Sequence, residues 1–195
     1  KSKKFKLNIK NILVTFHPVT LENKTSKKHF QEILNSLDEL KDTNIIFTKA
    51  NSDVDGKIIN QMIDQYTKKN LDKSISVASL GQLNYLSALQ HIDVIIGNSS
   101  SGISEAPSFK IGTINIGDRQ NGRIKAKSVV DCLSNKKDIN RAIKKVYSDE
   151  FKNLLKNVKN PYGNGRSSKK IIKVLKTIKL DNILKKNFFN KKYSL

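Results

Sequence analysis

The sequence has 195 residues, 37% of them hydrophobic and 28% charged, which is the balance of a globular domain that buries its own core. It has one cysteine and no apolar run of the ~18 residues that a membrane helix needs, and its first residues do not have the pattern of a signal peptide, so we expect a cytoplasmic protein with no membrane partner. The formal net charge of +20 favours anionic ligands, but the lysines are spread over nearly every predicted helix and no RNA-recognition, KH or zinc-finger pattern occurs, which argues against nucleic acid as a partner.

Short β-branched runs alternate along the chain with longer segments whose apolar residues recur at helical spacing. The first strand is predicted at Asn11–Phe16 and the first helix at Lys27–Leu40. The remaining predicted strands are Asn44–Ala50, Ser74–Leu80, Val94–Asn98, Thr113–Ile116 and Ser128–Leu133. The remaining predicted helices are Gly56–Lys69, Gln82–Ile92, a short one from Gly102 to Phe109, Lys137–Tyr147, Glu150–Val158, and one that begins near Ser167 after a break at Asn160–Gly165.

This alternation predicts parallel strands joined by right-handed crossovers. The fold class is therefore α/β: a doubly wound parallel sheet of the Rossmann-like kind, with helices on both faces. Neither an internal repeat nor a linker divides the chain, so one domain is expected over residues 1–195. The tail Leu184–Leu195 has no clear partner, and we expect it to fray.

A run of small polar residues, GNSSSG, follows the most apolar predicted strand and opens the short helix. Gly97 and Gly102 would let the backbone turn tightly and approach a ligand. The hydroxyls of Ser99, Ser100 and Ser101, with the first N–H groups of the helix, would then form a cradle for phosphate. A serine-rich turn that only caps the helix has the same pattern, so both interpretations stay open.

Two further features extend this motif toward a nucleotide. Glu105 lies about one turn further on, where a carboxylate can accept hydrogen bonds from ribose hydroxyls; a glutamate that only complements the helix dipole is the alternative. Arg119 and Arg123 follow the next strand in a chain that otherwise prefers lysine, and a planar guanidinium suits a bidentate clamp on phosphate. For this pair, solvated loop arginines are the alternative. Neither GxGxxG nor Walker A occurs.

Four segments, FHPVT, GNSSSGISEAPSFK, INIGDRQNGR and NPYGNG, together resemble the hydrolysing UDP-N-acetylglucosamine 2-epimerases, most closely their sialic-acid and legionaminic-acid branch. The resemblance extends in order from about Asn11 to about Leu175. Those enzymes have two Rossmann-like domains in the glycosyltransferase-B arrangement, with the UDP-sugar in the cleft between them. The resemblance implies that this chain corresponds to the C-terminal, nucleotide-binding half. Its partners would be the UDP-sugar, an N-terminal catalytic domain and, in the full-length enzyme, further copies of the same subunit.

The resemblance also implies which residues meet the nucleotide. By position, Ser99 and Ser100 match serines that hold the diphosphate. Glu105 matches the glutamate that binds the ribose, and Arg119 matches an arginine that also lies at the nucleotide. Leu80 matches a residue whose backbone meets the uracil ring.

Two more positions follow from the same resemblance. Asn51 matches an asparagine near the site, although Val54 and Asp55 depart from the family's usual spacing. His17 matches the histidine that faces the sugar-diphosphate, and it is the catalytic candidate in this chain. Because Pro18 fixes the exit of the chain at that strand end, a merely local role for His17 is the weaker alternative.

The family's reaction is an elimination followed by an addition: UDP leaves C1 as the C2 proton is removed, and water then adds to give the free 2-epimeric sugar. It needs no cofactor, and three scattered histidines with one cysteine make no metal site. The family's catalytic carboxylates lie mainly in the other half, so we expect this chain alone to be inactive. The sequence leaves open whether the sugar is N-acetylglucosamine or a diacetamido-trideoxy analogue. Two other functions stay open: the UDP-binding domain of a glycosyltransferase-B enzyme, and a basic RNA-binding α/β module.

Overall fold

The structure, a computed structural model, describes residues 5–19, 25–51 and 55–181. Contacts divide the chain into two units, Lys1–Gly163 and Asn164–Leu195. The expectation of one domain over residues 1–195 stays a prediction, and the tail predicted to fray, Leu184–Leu195, lies outside the described residues.

Six parallel strands form the sheet of the first unit, in the order β3-β2-β1-β4-β5-β6. The chain builds outward from β1 to β3 and then returns to the other side of β1, so the strand order reverses between β1 and β4. In such sheets ligands bind beyond the carboxyl ends of the strands at this reversal. The strands are β1 (Lys10–Thr15), β2 (Thr43–Thr48), β3 (Ser74–Val77), β4 (Val94–Gly97), β5 (Gly112–Ile116) and β6 (Val129–Cys132).

Helices cover both faces of the sheet, as the doubly wound fold predicts. Their bounds are α1 (Ser26–Asp38), α2 (Gly56–Lys69), α3 (Gly81–Leu89), α4 (Ser101–Ser104), α5 (Lys136–Val146) and α6 (Asp149–Lys156), with a 3₁₀ helix at Ala106–Phe109. Alternate residues of β1 point to opposite faces: Ile12 and Val14 pack with α1, α2 and α5, and Leu13 packs with α3 and the 3₁₀ helix. Because both faces are covered, the central strands are buried throughout, which explains their continuous apolar runs.

The predicted elements differ from the structure at two places beside the carboxyl edge of the sheet. β3 ends at Val77 rather than at Leu80. The helix predicted from Gly102 to Phe109 is one α-helical turn, α4, followed by the 3₁₀ helix. Pro107 has no N–H to donate to the carbonyl of Ile103, so the α-helix cannot continue through it.

Atoms of the neighbouring strands lie very close to the two glycines of the GNSSSG segment. Gly97 has φ +140°, and a Cβ there would lie 1.9 Å from the carbonyl oxygen of Thr15 on β1. A Cβ at Gly102 would lie 2.5 Å from Cγ2 of Thr113 on β5. Both positions therefore need glycine because protein atoms fill the space, whereas the sequence had suggested space for a ligand.

The second unit contains one described helix, α7 (Ser167–Thr177), which begins at the residue predicted from the sequence. The predicted break before it is present as well. Gly163 and Gly165 have φ of +103° and +85°, and Arg166 before the helix is also left-handed. Such a run of positive φ angles favours glycine and prevents the preceding chain from continuing into α7 as one helix.

Candidate nucleotide-binding site

A cavity of about 550 Å³ opens at the carboxyl ends of β1, β2, β3 and β4. Six of the residues predicted from the sequence line it, and they come from the segments after all four strands: His17, Asn51, Leu80, Ser99, Ser101 and Glu105. The other lining residues are Thr15, Thr48, Lys49, Ala78, Ser79, Gly81, Gln82, Tyr85 and Leu86. The cavity thus lies where a doubly wound sheet binds its ligand.

His17 is fixed in this cavity by its own backbone and by its ring. Its N–H donates to Oδ1 of Asn98 at 2.7 Å, and its carbonyl accepts from Nδ2 of the same side chain at 2.7 Å. The imidazole Nδ1 accepts a long hydrogen bond, 3.4 Å, from the N–H of Asn51. A neutral imidazole that accepts at Nδ1 carries its proton at Nε2, so in this form Nε2 of His17 is a donor.

Asn98 joins three loops at the reversal point, and the sequence analysis did not single it out. Besides its two bonds to His17, its carbonyl oxygen accepts from Nη1 of Arg119 at 3.1 Å and from Nε2 of Gln120 at 2.7 Å. Both donors follow β5, whereas His17 follows β1. The segments after β1, β4 and β5 are thereby tied to one buried residue.

Two residues predicted from the sequence lie outside the cavity wall. Arg119 is exposed, and its Nη1 donates to the carbonyl of Asn98 at 3.1 Å. Ser100 is the N-cap of α4, where its carbonyl accepts from the N–H and the Oγ of Ser104 at 2.9 and 3.0 Å. Its side chain makes no capping hydrogen bond. The helix-capping interpretation therefore does not apply to Ser100, whereas Oγ of Ser99 accepts a long hydrogen bond, 3.4 Å, from the N–H of Ser101 at the start of α4.

A pair of hydroxyls in the cavity wall connects α3 to α4. Tyr85 and Ser101 are hydrogen-bonded through their side-chain oxygens, and both line the cavity. Burial raises the pKa of Tyr85 to about 12; the bond to Ser101 lowers this pKa and the charge of Glu105 raises it. Tyr85 is thus a neutral hydrogen-bonding group at physiological pH.

Glu105 provides a carboxylate to the same wall. Within the part of the chain that the structure describes, this carboxylate has neither a hydrogen bond nor an ion pair. In the same ranges, the backbone N–H groups of Ser99 and Ser100 have no acceptor. Among the described residues, the cavity wall therefore has an unused donor at Ser99 and an unused acceptor at Glu105, and the unused N–H of Ser100 belongs to the next residue in the chain.

Lys49 is a lining residue that sequence reasoning missed. Its Nζ is 2.8 Å from Oδ2 of Asp64 on α2, and Oδ1 of Asp64 accepts from Ser76 at 3.4 Å. This ion pair places the Lys49 ammonium group at the end of β2, where the Asp64 carboxylate neutralises its charge. No local sequence motif predicts this ion pair, because Asp64 lies on α2 and Ser76, which also bonds to Asp64, lies on β3.

A second cavity, of about 640 Å³, lies at the carboxyl ends of β5 and β6. None of the site residues predicted from the sequence lines it. Asp138 in its wall is paired with Arg141 at 2.6 Å and bonded to Asn135. Burial raises the pKa of the Cys132 thiol to about 12, which keeps this thiol protonated and unreactive. Three polar side chains of this cavity, those of Asn135, Asp138 and Arg141, are thus bonded to one another.

Metal binding and membrane insertion were both excluded on sequence grounds. Among residues 5–19, 25–51 and 55–181, no group of three or more His, Cys, Asp or Glu side chains is placed to hold a metal ion. Over the same ranges, the structure contains no helix with the length and apolar character needed to cross a bilayer.

The strand order, the reversal between β1 and β4 and the polar cavity beside it define a Rossmann-like α/β fold with a candidate ligand site at the carboxyl edge. The family model described as UDP-N-acetylglucosamine 2-epimerase matches residues 2–176, and the chain belongs to this family. The resemblance of its four sequence segments to that family is thereby confirmed.

Three curated relatives extend this assignment. The chain is 46% identical over 191 residues to a GDP/UDP-N,N'-diacetylbacillosamine 2-epimerase (hydrolyzing) of Campylobacter jejuni, covering 97% of this chain and 49% of that protein. It is 33% identical to polysialic acid biosynthesis protein P7 of Escherichia coli, covering 91% of this chain and 46% of that protein. It is also 33% identical to a UDP-N,N'-diacetylbacillosamine 2-epimerase (hydrolyzing) of Legionella pneumophila, covering 86% and 43%. The chain thus spans about half the length of these relatives.

Solved structures share the fold. S. aureus MnaA in complex with UDP matches with a TM-score of 0.64 at 19% identity, over 86% of this chain and 44% of that one. The UDP-GlcNAc 2-epimerase of Methanocaldococcus jannaschii gives 0.64 at 22% identity, over 86% and 45%. A C-terminal domain of a Francisella tularensis group 1 glycosyl transferase gives 0.50 at 14% identity, over 78% and 82%. The predicted likeness to the C-terminal domain of a glycosyltransferase-B fold is confirmed.

Proposed function

We propose that this chain is the nucleotide-binding half of a hydrolysing 2-epimerase, which converts UDP-N-acetylglucosamine or a UDP-diacetamido-trideoxy sugar to the free 2-epimeric sugar and UDP. The observation that carries the proposal is the cavity at the reversal point, where segments after four strands bring His17, Asn51, Leu80, Ser99 and Glu105 together. The names of the C. jejuni and L. pneumophila relatives support this reaction class. In this proposal the other half of the cleft comes from a second domain, which about half of each relative's length could supply.

The polar groups in the cavity wall and directly beside it suit the parts of a nucleoside diphosphate. The backbone N–H groups of Ser99 and Ser100, with their hydroxyls, hold the diphosphate as hydrogen-bond donors. The carboxylate of Glu105 accepts from the two ribose hydroxyls. The backbone at Leu80 meets the uracil ring, and Asn51 and Arg119 complete the proposed set from the loops after β2 and β5.

In this proposal the chain mainly stabilises the leaving group. As UDP departs from C1, negative charge grows on the diphosphate, and donors held in advance near it lower the barrier. His17 lines the same cavity, and in this proposal its imidazole joins these donors in its neutral form, with the proton at Nε2. Removal of the C2 proton needs a base within hydrogen-bonding reach, which we assign to the other half of the cleft.

The test is calorimetric titration of the purified chain with UDP, GDP and inorganic pyrophosphate. We expect saturable UDP binding in the high micromolar range or weaker, about 4–6 kcal/mol, since no second domain closes over the ligand. GDP belongs in the comparison because the C. jejuni relative is named for both nucleotides. Pyrophosphate that binds as well as UDP would show a general anion site and would contradict the proposal.

A glycosyltransferase is the second candidate, supported by the fold shared with the F. tularensis domain. Both candidates bind UDP, so the discriminating assay is consumption of the UDP-sugar without an acceptor by the full-length enzyme. RNA binding with a steep salt dependence would instead favour the basic RNA-binding module. The cytoplasmic location and the homo-oligomeric state of the full-length enzyme remain proposals that rest on the sequence alone.

A further inference from the structure

Asn98 occupies an unusual place in the fold. It directly follows β4, beside the point where the strand order reverses, and only 1% of its surface is exposed. It does not itself line the cavity, but it lies between two residues of the proposed site: His17 on the β1 side and Arg119 on the β5 side. Its own N–H donates to the carbonyl of Thr15 at 3.2 Å, which fixes it to β1.

The side chain of Asn98 is used entirely on the backbone of one residue. Oδ1 accepts from the N–H of His17 and Nδ2 donates to the carbonyl of His17, both at 2.7 Å. Two such bonds to a single residue fix its position and its orientation together. Because the Asn98 side chain is buried, breaking these bonds leaves its polar atoms unsatisfied, which costs more than losing an exposed bond would.

The backbone carbonyl of Asn98 is held from the opposite side. Gln120, only 2% exposed, donates to it at 2.7 Å, and Arg119 donates at 3.1 Å. Within the described residues, Oε1 of Gln120 is buried and has no partner. The Gln120 side-chain amide is thus held by the hydrogen bond from its Nε2 to the carbonyl of Asn98.

We infer that Asn98 is a positioning residue that holds His17 in the nucleotide cavity, and that Arg119 and Gln120 act through Asn98. This inference rests on the proposed function, in which His17 donates to the diphosphate. It replaces the direct contact with the nucleotide that the proposed function assigns to Arg119 by an indirect role through Asn98. An arginine that clamps the diphosphate directly would touch the ligand from the cavity wall, whereas Arg119 lies outside that wall and braces the residue that orients His17.

The chain offers a matched control for Asn98. Asn11, at the amino end of β1, makes the same reciprocal pair of bonds to a single residue: it accepts from the N–H of Asn8 at 3.0 Å and donates to the carbonyl of Asn8 at 2.9 Å. It is also buried, at 7% exposure. It lies at the edge of the sheet opposite the cavity, so Asn11→Ala removes an equivalent pair of bonds without touching the site.

The experiment records the ring signals of the histidines by NMR in the ligand-free protein, together with the UDP dissociation constant. The sequence has three histidines, so His29 and His91 serve as internal references. Asn98→Ala should move the His17 ring signals selectively and weaken UDP binding by about tenfold. Asn11→Ala should leave both unchanged. Unmoved His17 signals in a folded Asn98→Ala variant would overturn the inference.

Arg119→Ala gives a second test that does not depend on a buried substitution. Since Arg119 is exposed, the variant should fold, and the His17 ring signals should move before any nucleotide is added. Weaker UDP binding with unmoved His17 signals would make Arg119 a direct ligand contact and would overturn its place in the inference. The ring signals need no nucleotide. A chain that fails to bind UDP would therefore refute the proposed function while the positioning role is still tested.

Discussion

Glu105 is the residue that should separate nucleotide binding from binding of phosphate alone. It lines the cavity with a carboxylate that the described protein residues leave unbonded. If this carboxylate holds the ribose, Glu105→Ala should weaken UDP binding by about 1.5–3 kcal/mol, the range for hydrogen bonds to charged groups, and should leave pyrophosphate binding unchanged. Calorimetry with both ligands measures the difference.

Glu150→Ala is the control for this substitution, because Glu150 is an exposed residue in the first turn of α6 and its loss changes the net charge equally. Its UDP affinity should match that of the parent. An equal loss of affinity for UDP and pyrophosphate in the Glu105 variant would indicate a structural carboxylate.

Tyr85 gives a prediction that depends on pH. Burial raises its pKa from 10.0 to about 12 in the folded chain, so the fold favours the neutral phenol. The contribution to stability is therefore fully present below pH 10 and is lost as the pH rises from 10 to about 12. In urea unfolding at pH 8, 10 and 11, Tyr85→Phe should lose stability less steeply than the parent above pH 10. Parallel curves for the two proteins would contradict the assignment.

At the scale of elements, the closest approach of β4 to β1 depends on one glycine. Gly97→Ala would place a methyl group 1.9 Å from the carbonyl oxygen of Thr15, at a φ of +140° that alanine rarely adopts. Because both partners are backbone, the strands must separate, and we expect a loss of roughly 4 kcal/mol or more in the free energy of unfolding. Chemical denaturation followed by circular dichroism measures it.

Gly122→Ala is the matched variant, since Gly122 also has a positive φ, +75°, but a Cβ at this position would have no neighbouring atom within 4 Å. Only the backbone strain remains there, about 1–3 kcal/mol. Equal losses of unfolding free energy in the two variants would mean that β1 and β4 can move apart at little cost, which would contradict the prediction.

The alternation of β-branched runs and amphipathic segments was enough to predict every strand of the described sheet, because a sheet covered on both faces needs continuous apolar strands. His17, Asn51 and Leu80 were proposed from the family resemblance, and they line one cavity because the carboxyl ends of parallel strands share one edge; their contacts with a nucleotide stay a prediction. Lys49 and Tyr85 could not, because their roles depend on partners from other helices, Asp64 and Ser101. Asn98 had one local signal, an amide directly after the most apolar strand, but its five hydrogen bonds depend on the tertiary fold.

At the scale of the whole molecule, we expect the chain to bind UDP without turning over UDP-sugar. The proposed nucleotide contacts lie in loops of this chain, whereas proton removal needs a positioned base and a cleft closed to water. Incubation with UDP-N-acetylglucosamine should release no UDP above background, as measured by a coupled UDP assay. Robust release by this chain alone would place the catalytic base among its own residues.

The central position of β1 also has a consequence for how the protein is made. Ile12 on β1 pairs with Val94 on β4, 82 residues later in the chain. At a synthesis rate of about 5–20 residues per second, roughly 4–16 s pass between the synthesis of β1 and that of β4, the strand that pairs with one of its edges. During that time the apolar segment from Ile12 to Val14 presents an unpaired strand edge to other nascent chains. Early engagement by a chaperone should therefore raise the yield of this protein more than that of a domain whose first strands form a hairpin.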